Sequence, residues 1–414
     1  MKRMALFLSV ILLSLRSTSE VVSQTASFTQ GKPIEEYIAF LQDHKQTSVD
    51  YVLGLFENAD IVILCERAHP EITQYELITD IIRDRRFIEK AGCIFTEIGR
   101  SSVQPLVEDL LMNDNLSDGE AKERILHIIR NLQHSPLWDC TNYFNLLKDV
   151  YYLNKTLPLK EKIHVYPSNM PFSWKGMTKE KYAAFYKKKP RIRDKVIAEQ
   201  IIEKYREIMN SGNTKKKALV IMNYRHAFPH LDVTMGTQEK RIDNVGGFLM
   251  QEFRGKTANV MLNSFRVLAG TTDARLSWTA LQNGKWDAAF ALAGNPDTGF
   301  DFEGSPFGSD AFDYYPYQHG YTYNDIFTGF VFYKPLEKHV MQYGIPGVFN
   351  EAFREEFTKR HRIKNDQTTK KEIDEMMEEL GKICEFGYDD KERMGKSDYK
   401  ELIRKWLKNK DENS

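Results

Sequence analysis

The sequence predicts a layered α/β/α fold with a central, mostly parallel sheet, helical insertions and a helical C-terminal tail. Short, continuous runs of apolar and β-branched residues recur along the chain, as in strands that are buried on both faces. Segments with apolar residues at helical spacing separate these runs. Hydrophobic residues make up 42% of the 414 positions, with Gly 24 and Pro 14, so the chain can bury a large core.

The first elements form a strand, helix, strand unit. Two short helices are predicted within residues 33–57, and the run 59–65 then predicts the first buried strand. A helical pattern over 72–89 leads to a second strand at 93–97. This order requires a parallel strand pair with a crossover helix, and such crossovers are almost always right-handed.

The rest of the chain continues the alternation of helices and strands. The predicted elements are a helical region at 103–156, a strand at 162–166, a helix at about 191–209, and strands at 218–222, 260–262 and 327–333. Residues 294–325 have no periodicity and are rich in Gly, Asp, Pro and aromatic residues, which predicts an ordered lid loop.

The N-terminus has the pattern of an export signal. Lys2 and Arg3 precede an apolar run of about 12 residues, which is too short to span a bilayer of about 30 Å. We therefore expect residues 1–24 to be a signal peptide, with an uncleaved N-terminal anchor as the alternative. The predicted location is secreted or periplasmic, without stable membrane insertion after the signal is removed. The α/β domain is predicted over 25–345 and a charged helical extension over 346–414.

The charge balance and the cysteine content limit the kinds of ligand and site that the protein is expected to have. Lys+Arg 58 and Asp+Glu 58 balance, so no overall positive field attracts nucleic acid. The chain has Cys 4, with no spacing typical of a zinc site or a disulfide framework. The expected partner is a small-molecule substrate.

Polar side chains follow three of the predicted strands where each strand ends. In open α/β sheets, ligands bind outside the carboxyl ends of the strands, so these residues predict one shared site. The candidate catalytic residues are Glu66, His69, Glu97 and His226, and the candidate substrate-binding residues are Arg67, Arg100, Arg225 and Asn223.

Glu66 and His69 have the spacing of a water-activating pair. A carboxylate that accepts a hydrogen bond from one imidazole nitrogen fixes the tautomer and leaves the other nitrogen as a base. The alternative is an ordinary surface contact at a helix cap. Cys65 could act as a nucleophile with His69, but a small buried residue at a strand end is the favoured interpretation.

Glu97 and His226 each close a run of apolar residues. An ionised group so near the interior costs several kcal/mol unless it has a partner. The alternative interpretations are a structural salt bridge of Glu97 to Arg100 or Arg225, and a hydrogen-bonded core histidine at position 226.

The three arginines at the strand ends have two interpretations as well. Guanidinium groups that face a cleft can bind a carboxylate or phosphate through two parallel hydrogen bonds. Alternatively, they pair with the nearby carboxylates Glu66, Glu71 and Glu97.

Together these segments resemble the erythromycin esterase and ChaN-like (EreA/ChaN) superfamily and, more distantly, the TIKI and TraB type proteins. The matching segments, within about residues 50–335, are Leu64–Glu71, Phe95–Glu97, Arg193–Gln200, Met222–Ala227 and Asn324–Phe332. The resemblance implies a hydrolase in which His69 activates water, Glu66 and Glu97 orient the base and the substrate, and His226 stabilises the oxyanion.

The sequence departs from the superfamily pattern at several positions. Cys65 and Pro70 replace glycines that flank the first motif, and Asn169 stands near the place where relatives often carry an aspartate. The predicted reaction is therefore cleavage of an ester or similar bond, without a named substrate. Three alternatives stay open: a ChaN-like protein that binds haem or another small ligand without catalysis, a non-enzymatic scaffold that has lost activity with the motif glycines, and a divalent metal held by the four candidate catalytic residues.

Overall fold

The computed structural model describes residues 32–132, 140–212, 215–235, 238–267, 278–314, 320–390 and 398–411. The predicted signal peptide lies outside these residues. Within them, no helix is long and apolar enough to cross a membrane.

Strands and helices alternate along the chain as predicted. The strands are β1 (Ile61–Glu66), β2 (Cys93–Arg100), β3 (His164–Asn169), β4 (Ala218–Asn223), β5 (Leu231–Met235), β6 (Gln238–Ile242), β7 (Thr257–Leu262), β8 (Phe265–Val267), β9 (Trp278–Ala280), β10 (Asp297–Asp301), β11 (Gly329–Tyr333), β12 (Val340–Tyr343) and β13 (Cys384–Gly387). The helices are α1 (Ile34–Asp43), α2 (Ser48–Leu55), α3 (Thr73–Arg83), α4 (Arg85–Lys90), α5 (Gln104–Leu111), α6 (Asp118–Arg130), α7 (Cys140–Asn154), α8 (Lys179–Asn210), α9 (Val245–Glu252), α10 (Lys285–Ala293), α11 (Tyr323–Ile326), α12 (Glu351–Lys364), α13 (Lys370–Gly381) and α14 (Tyr399–Asp411).

The central sheet has the strand order β10-β11-β7-β1-β4-β2-β3. All neighbouring pairs in it are parallel except β10 with β11. The mostly parallel sheet of the predicted fold class is thereby confirmed. Because β1, β4 and β2 are adjacent, their carboxyl ends lie side by side, and these are the strands that carry the candidate site residues.

Two hydrophobic clusters cover the two faces of the sheet. On β1, Val62 and Leu64 belong to the cluster formed with α2–α7, whereas Ile61, Ile63 and Cys65 belong to the cluster formed with α1 and α8–α10. Side chains alternate between the faces of a strand, so a strand buried on both sides needs an unbroken apolar run. The continuous apolar run of β1 in the sequence is therefore explained by the helical layers that cover both faces of the sheet.

The predicted lid loop at 294–325 is wrong in its described part. This segment contains β10, which closes one edge of the sheet, and the short helix α11. Its aromatic side chains Phe300, Phe302 and Phe307 are buried in the core. The aromatic content that suggested an ordered lid is therefore the packing surface of an edge strand and its flanking turns.

Several helix boundaries also differ from the prediction. The helix predicted from about residue 191 begins at Lys179, where the Thr178 side chain accepts a hydrogen bond from the Lys181 N–H. The predicted helix 72–89 is divided at Asp84, whose carboxylate caps α4. In its described residues, 103–132 and 140–156, the predicted helical region contains the three helices α5, α6 and α7.

The C-terminal segment after residue 346 is helical as predicted, with α12, α13 and α14, but it also contains a strand. β13 pairs antiparallel with β12, which precedes the predicted boundary. Trp406 and Leu407 of α14 pack against the cluster on one face of the main sheet. The extension is thus attached to the α/β layers by a strand pair and a helix.

Candidate functional site

The ends of β1, β2 and β4 bring the four candidate catalytic residues together. The Nε2 atom of His69 lies 3.7 Å from Oε1 of Glu97, and Nε2 of His226 lies 3.5 Å from the same oxygen. Glu66 approaches His69 from the other side. Four side chains spread over 160 positions of the sequence therefore share one location at the rim of the sheet.

Glu66 orients His69 through its carboxylate. His69 Nδ1 lies 3.0 Å from Glu66 Oε2, and the Tyr75 hydroxyl on α3 donates to Glu66 Oε1 at 2.5 Å. A carboxylate accepts hydrogen bonds only, so Nδ1 carries the hydrogen and Nε2 carries the lone pair of the neutral ring. Burial and the adjacent Glu66 charge raise the pKa of Tyr75 well above its ordinary value, so this phenol remains a donor.

The loop that carries His69 is fixed through its backbone. The Asn142 side-chain amide on α7 donates to the carbonyls of His69 and Glu71 at 2.7 and 2.9 Å. The Asn223 amide at the end of β4 donates to the Arg67 carbonyl at 2.7 Å. Hydrogen bonds from two neighbouring elements therefore set the position of the imidazole before any substrate arrives.

Glu97 is a buried carboxylate held in its ionised form. The Asn223 backbone N–H donates to Oε2 at 2.8 Å, and the Arg193 guanidinium on α8 donates to Oε1. Burial opposes ionisation, but the interactions with His226, Arg193 and His69 outweigh it and hold the pKa of Glu97 well below its usual range. Glu97 therefore stays negative across the physiological pH range.

His226 lies between an acid and an arginine, both from the same helix. Its Nδ1 is 2.8 Å from Asp194 Oδ2, and its Nε2 is 2.7 Å from Arg193 Nη1. Because arginine can only donate, Nε2 accepts and Nδ1 donates to Asp194. In this tautomer, both ring nitrogens of His226 are engaged within the protein.

The exposed fractions of these side chains separate a buried layer of the site, its floor, from the groups at the cleft surface. Glu66 and Glu97 are 1% and 2% exposed, whereas His69 and His226 are 14% and 24% exposed. Arg193 is 15% exposed. The two carboxylates therefore form the floor, and the imidazoles and the guanidinium are the groups that a ligand can reach.

Arg67 does not face the cleft. It is fully buried and forms an ion pair with Glu71 at 2.9 Å, with further bonds to Thr73 and Asn263. The alternative weighed for it, pairing with a nearby carboxylate, is the one observed. Arg67 thus supports the His69 loop from beneath instead of lining a binding surface.

Arg100 is also committed to the protein interior. Its guanidinium donates to the Leu132 carbonyl and the Asn169 side chain, both at 3.2 Å, and stacks on Phe172 and Phe185. Asn169, at the position where relatives often carry an aspartate, also donates to the Glu97 carbonyl at 3.0 Å. Neither residue offers its polar atoms to the cleft surface.

Arg225 and Asn223 occupy different environments. Arg225 is exposed, and its guanidinium lies over the Tyr224 ring. Its Nε atom lies 3.4 Å from Asn223 Oδ1. Because the side chain is exposed, a ligand can reach it. Asn223 is buried and its side chain is used to tie β4 to the end of β1. Binding of substrate by either residue stays a prediction.

Cys65 fits the interpretation as a small buried strand residue. It is 1% exposed within the central strand, and burial raises the pKa of its thiol far above the ordinary range. A thiolate nucleophile at this position is therefore disfavoured.

Sequence reasoning missed the groups that helices supply to the site, namely Arg193, Asp194, Tyr75 and Asn142. The segment that begins at Arg193 was matched to the superfamily as a motif, but no role was assigned to it. Consecutive Arg and Asp residues in a polar helix are ordinary surface residues, and their proximity to Glu97 and His226 follows only from the packing of α8.

Three residues of the site could hold a metal ion. Single ligand atoms of Glu66, His69 and Glu97 lie within 4.8 Å of one another. However, the Glu66 carboxylate engages His69 Nδ1, and the Arg193 guanidinium bonds both Glu97 and His226 Nε2. Arg193 therefore provides the positive charge that a divalent cation would bring to these ligands.

Comparisons with known proteins give similarity in fold only. No protein-family model and no curated protein matches this chain. A crystal structure of a Bacillus cereus protein is 10% identical with a TM-score of 0.42, and the match covers 72% of this chain and 97% of that chain. A mutant of the erythromycin esterase EreC in its open conformation is 10% identical with a TM-score of 0.44, covering 70% and 95%. Membership of the superfamily stays a prediction.

Proposed function

We propose that this protein is a hydrolase that cleaves an ester or a similarly activated bond of a small molecule by attack of water on the carbonyl carbon. One observation carries the proposal. His69 is oriented by a buried carboxylate 3.0 Å from Nδ1, at the strand ends where ligands of α/β sheets bind, and its Nε2 lies 3.7 Å from the Glu97 oxygen that Arg193 bonds. Base, orienting acid and cation are the three groups that such a reaction requires.

His69 and Glu66 supply the base. The Nε2 lone pair takes a proton from water while the water oxygen attacks the carbonyl carbon, and Glu66 stabilises the imidazolium that forms. The tetrahedral intermediate then breaks its bond to the leaving oxygen, which receives the proton from His69. The products are a carboxylic acid and an alcohol, and the base is restored.

Arg193 is the group that we assign to the oxyanion. An arginine remains positively charged at all relevant pH values, and at 15% exposure it lies at the cleft surface. His226, which the resemblance suggests for this role, accepts from Arg193 at Nε2 and pairs with Asp194 at Nδ1. We therefore assign His226 and Asp194 the task of holding Arg193 in place.

The test is hydrolysis of a panel of chromogenic p-nitrophenyl esters by the wild type, His69→Ala and Glu66→Gln. We expect kcat to fall by about 10²–10⁴ in both variants, because general base catalysis is worth about that much. His164→Ala is the matched control, since His164 is also paired with a glutamate, at 3.1 Å, but lies at the start of β3. Equal turnover by wild type and His69→Ala would refute the proposal.

Two further measurements address the other interpretations. Since Arg193 already bonds Glu97 Oε1 and His226 Nε2, a chelator should leave turnover unchanged, and a loss restored by a divalent cation would replace the proposal with a metal-dependent one. A haem titration followed at the Soret band should show no binding through His69. A Soret shift that His69→Ala abolishes, without ester turnover, would support the ligand-binding alternative. Secretion or periplasmic location remains a proposal that rests on the N-terminal pattern.

A further inference from the structure

A cavity of about 400 Å³ lies between α6, α7 and the segment that leads out of β12. None of the six polar residues of the candidate site, Glu66, His69, Glu97, Arg193, Asp194 and His226, lines it. Its volume is within the range of about 300–1,000 Å³ that is typical of small-molecule sites. The cavity is therefore large enough for a ligand of its own.

The surface that lines the cavity is mostly apolar. Ile125 of α6 and Ile345 belong to the buried core, and Ile383, just before β13, completes the rim. Ile383 is 55% exposed, among the most exposed large hydrophobic side chains of the described chain. The cavity thus offers an aliphatic side chain that the protein itself leaves exposed.

Two lysines at the cavity give it a positive character. Lys122 of α6 and Lys148 of α7 both line it, and neither makes an ion pair or a hydrogen bond with another described residue. The lining carboxylate Asp118 is engaged by the Tyr152 hydroxyl at 2.9 Å. Asp118 carries one negative charge against the two lysines, so the charged part of the lining is positive overall and, beside apolar walls, is complementary to an anion with an apolar chain.

A buried polar atom in the wall also lacks a partner. Thr141, in the first turn of α7, is 4% exposed and lines the cavity, and its hydroxyl has no hydrogen-bond partner within the described residues. Leaving a buried hydroxyl unsatisfied costs about 1–3 kcal/mol. A ligand oxygen in the cavity would satisfy it.

We propose that this cavity binds an amphipathic monocarboxylate, with its aliphatic chain against Ile125, Ile345 and Ile383 and its oxygen atoms bonded to Thr141 and the two lysines. The proposal goes beyond the hydrolase activity and is independent of it, since the two sites share no residue. Helix side chains lean toward the helix N-terminus, so Lys148 extends back toward Thr141 on the same face of α7.

Calorimetric titration of the full chain with decanoate tests the proposal. We expect saturable binding of one molecule per chain, weakened about tenfold or more in the double variant Lys122→Gln/Lys148→Gln, because two charge-assisted contacts are lost. Thr141→Val, which replaces the hydroxyl with a methyl group, should weaken binding about fivefold. Lys371→Gln, far out on α13 with its side chain 85% exposed, is the matched control.

Further probes separate the cavity from the candidate site and from unspecific adsorption. Arg193→Gln should bind decanoate as the wild type does, whereas loss of binding in that variant would place the ligand at the candidate site. Decan-1-ol and decyltrimethylammonium, with the same chain length, should bind at least tenfold more weakly. Equal affinity for all three probes, or binding without saturation, would overturn the proposal, and circular dichroism checks that each variant is folded.

Discussion

Arg193 bonds both Glu97 and His226, which come from the ends of different strands. Its planar guanidinium presents several donors at once, and a lysine ammonium cannot reproduce this geometry. We expect Arg193→Gln to lower kcat for the chromogenic esters by about 10²–10³, as for loss of an oxyanion-stabilising donor. Arg193→Lys should recover only part of the loss.

The matched control for Arg193 is Lys195→Gln, two residues along α8, where the side chain is 66% exposed and pairs only with Glu199. It should leave kcat and KM unchanged. If Arg193→Gln behaved like this control, the oxyanion would have to be stabilised by another group.

Asp287 makes folding stability depend on pH. It lies in the first turn of α10, almost fully buried, and its Oδ1 has no hydrogen-bond partner within the described residues. Burial, aided by the negative charge of Glu337 and only partly offset by Arg67, raises its pKa to about 7. The folded protein thus favours the protonated form, so this contribution to stability is complete below about pH 4 and is lost as the pH rises through 7.

Asp287→Asn should remove this dependence. Urea unfolding of both proteins should give similar free energies at about pH 4, and at pH 8 the variant should be more stable, by up to about 4 kcal/mol. Asp297→Asn, an exposed aspartate at the start of β10, serves as a control for removing one carboxylate. A constant difference between Asp287→Asn and wild type from pH 5 to 8 would contradict the prediction.

Residues at strand ends could be predicted, and residues supplied by helices could not. Glu66, Glu97 and His226 each follow an apolar run, which fixes them at the rim of a parallel sheet. The environments of Arg67 and Arg100 could not be predicted from the sequence. An arginine that lines a cleft and an arginine that is buried against a partner can have the same neighbours along the chain. Only the packing of the layers decides between them.

Among the elements, β10 depends on a glycine for its position. A Cβ atom at Gly299 would lie 2.5 Å from Cβ of Tyr51 on α2, so the strand can approach that helix only without a side chain. The Tyr51 hydroxyl then donates to Asp301 at the end of the same strand, at 2.7 Å. The contact between α2 and the sheet edge thus requires glycine at this position.

Gly299→Ala should lower the free energy of unfolding by about 1–3 kcal/mol, the usual cost of overpacking, measured by urea denaturation. The control is Gly119→Ala in the first turn of α6, where a Cβ atom would meet nothing within 4 Å. That change should be neutral or slightly stabilising, because alanine favours helix. Equal stability of the two variants would contradict the proposed close approach.

Strands in the middle of the sheet were predictable because burial on both faces demands continuous apolar residues. β10 was missed for the same reason, since Gly299 and the terminal aspartates Asp297 and Asp301 interrupt its apolar run. An antiparallel edge strand is exposed along one side and tolerates such residues. The start of α8 was missed because the pattern beyond Pro190 resembles the beginning of a helix.

At the scale of the whole molecule, the C-terminal extension contributes to the stability of the α/β layers. Trp406 of α14 packs on the cluster beneath the sheet, and its indole N–H donates to the Asn283 carbonyl at 3.1 Å. Trp406→Ala should lower the thermal midpoint of the entire protein in one cooperative transition, with a loss of about 1–3 kcal/mol in the free energy of unfolding. Lys408→Ala, an exposed position on the same helix, should not. A separate early transition would mean that the extension unfolds by itself.

α8 brings Arg193 and Asp194 to strand ends that belong to the sheet. Since each residue of a helix advances about 1.5 Å along the axis, sliding this helix by a single residue would break hydrogen bonds of 2.7 and 2.8 Å to His226 together. The packing of this 32-residue helix against the sheet therefore completes the candidate site. A molecule that displaced this helix outward would separate both residues from His226 and, under the proposed function, should abolish turnover without contacting His69.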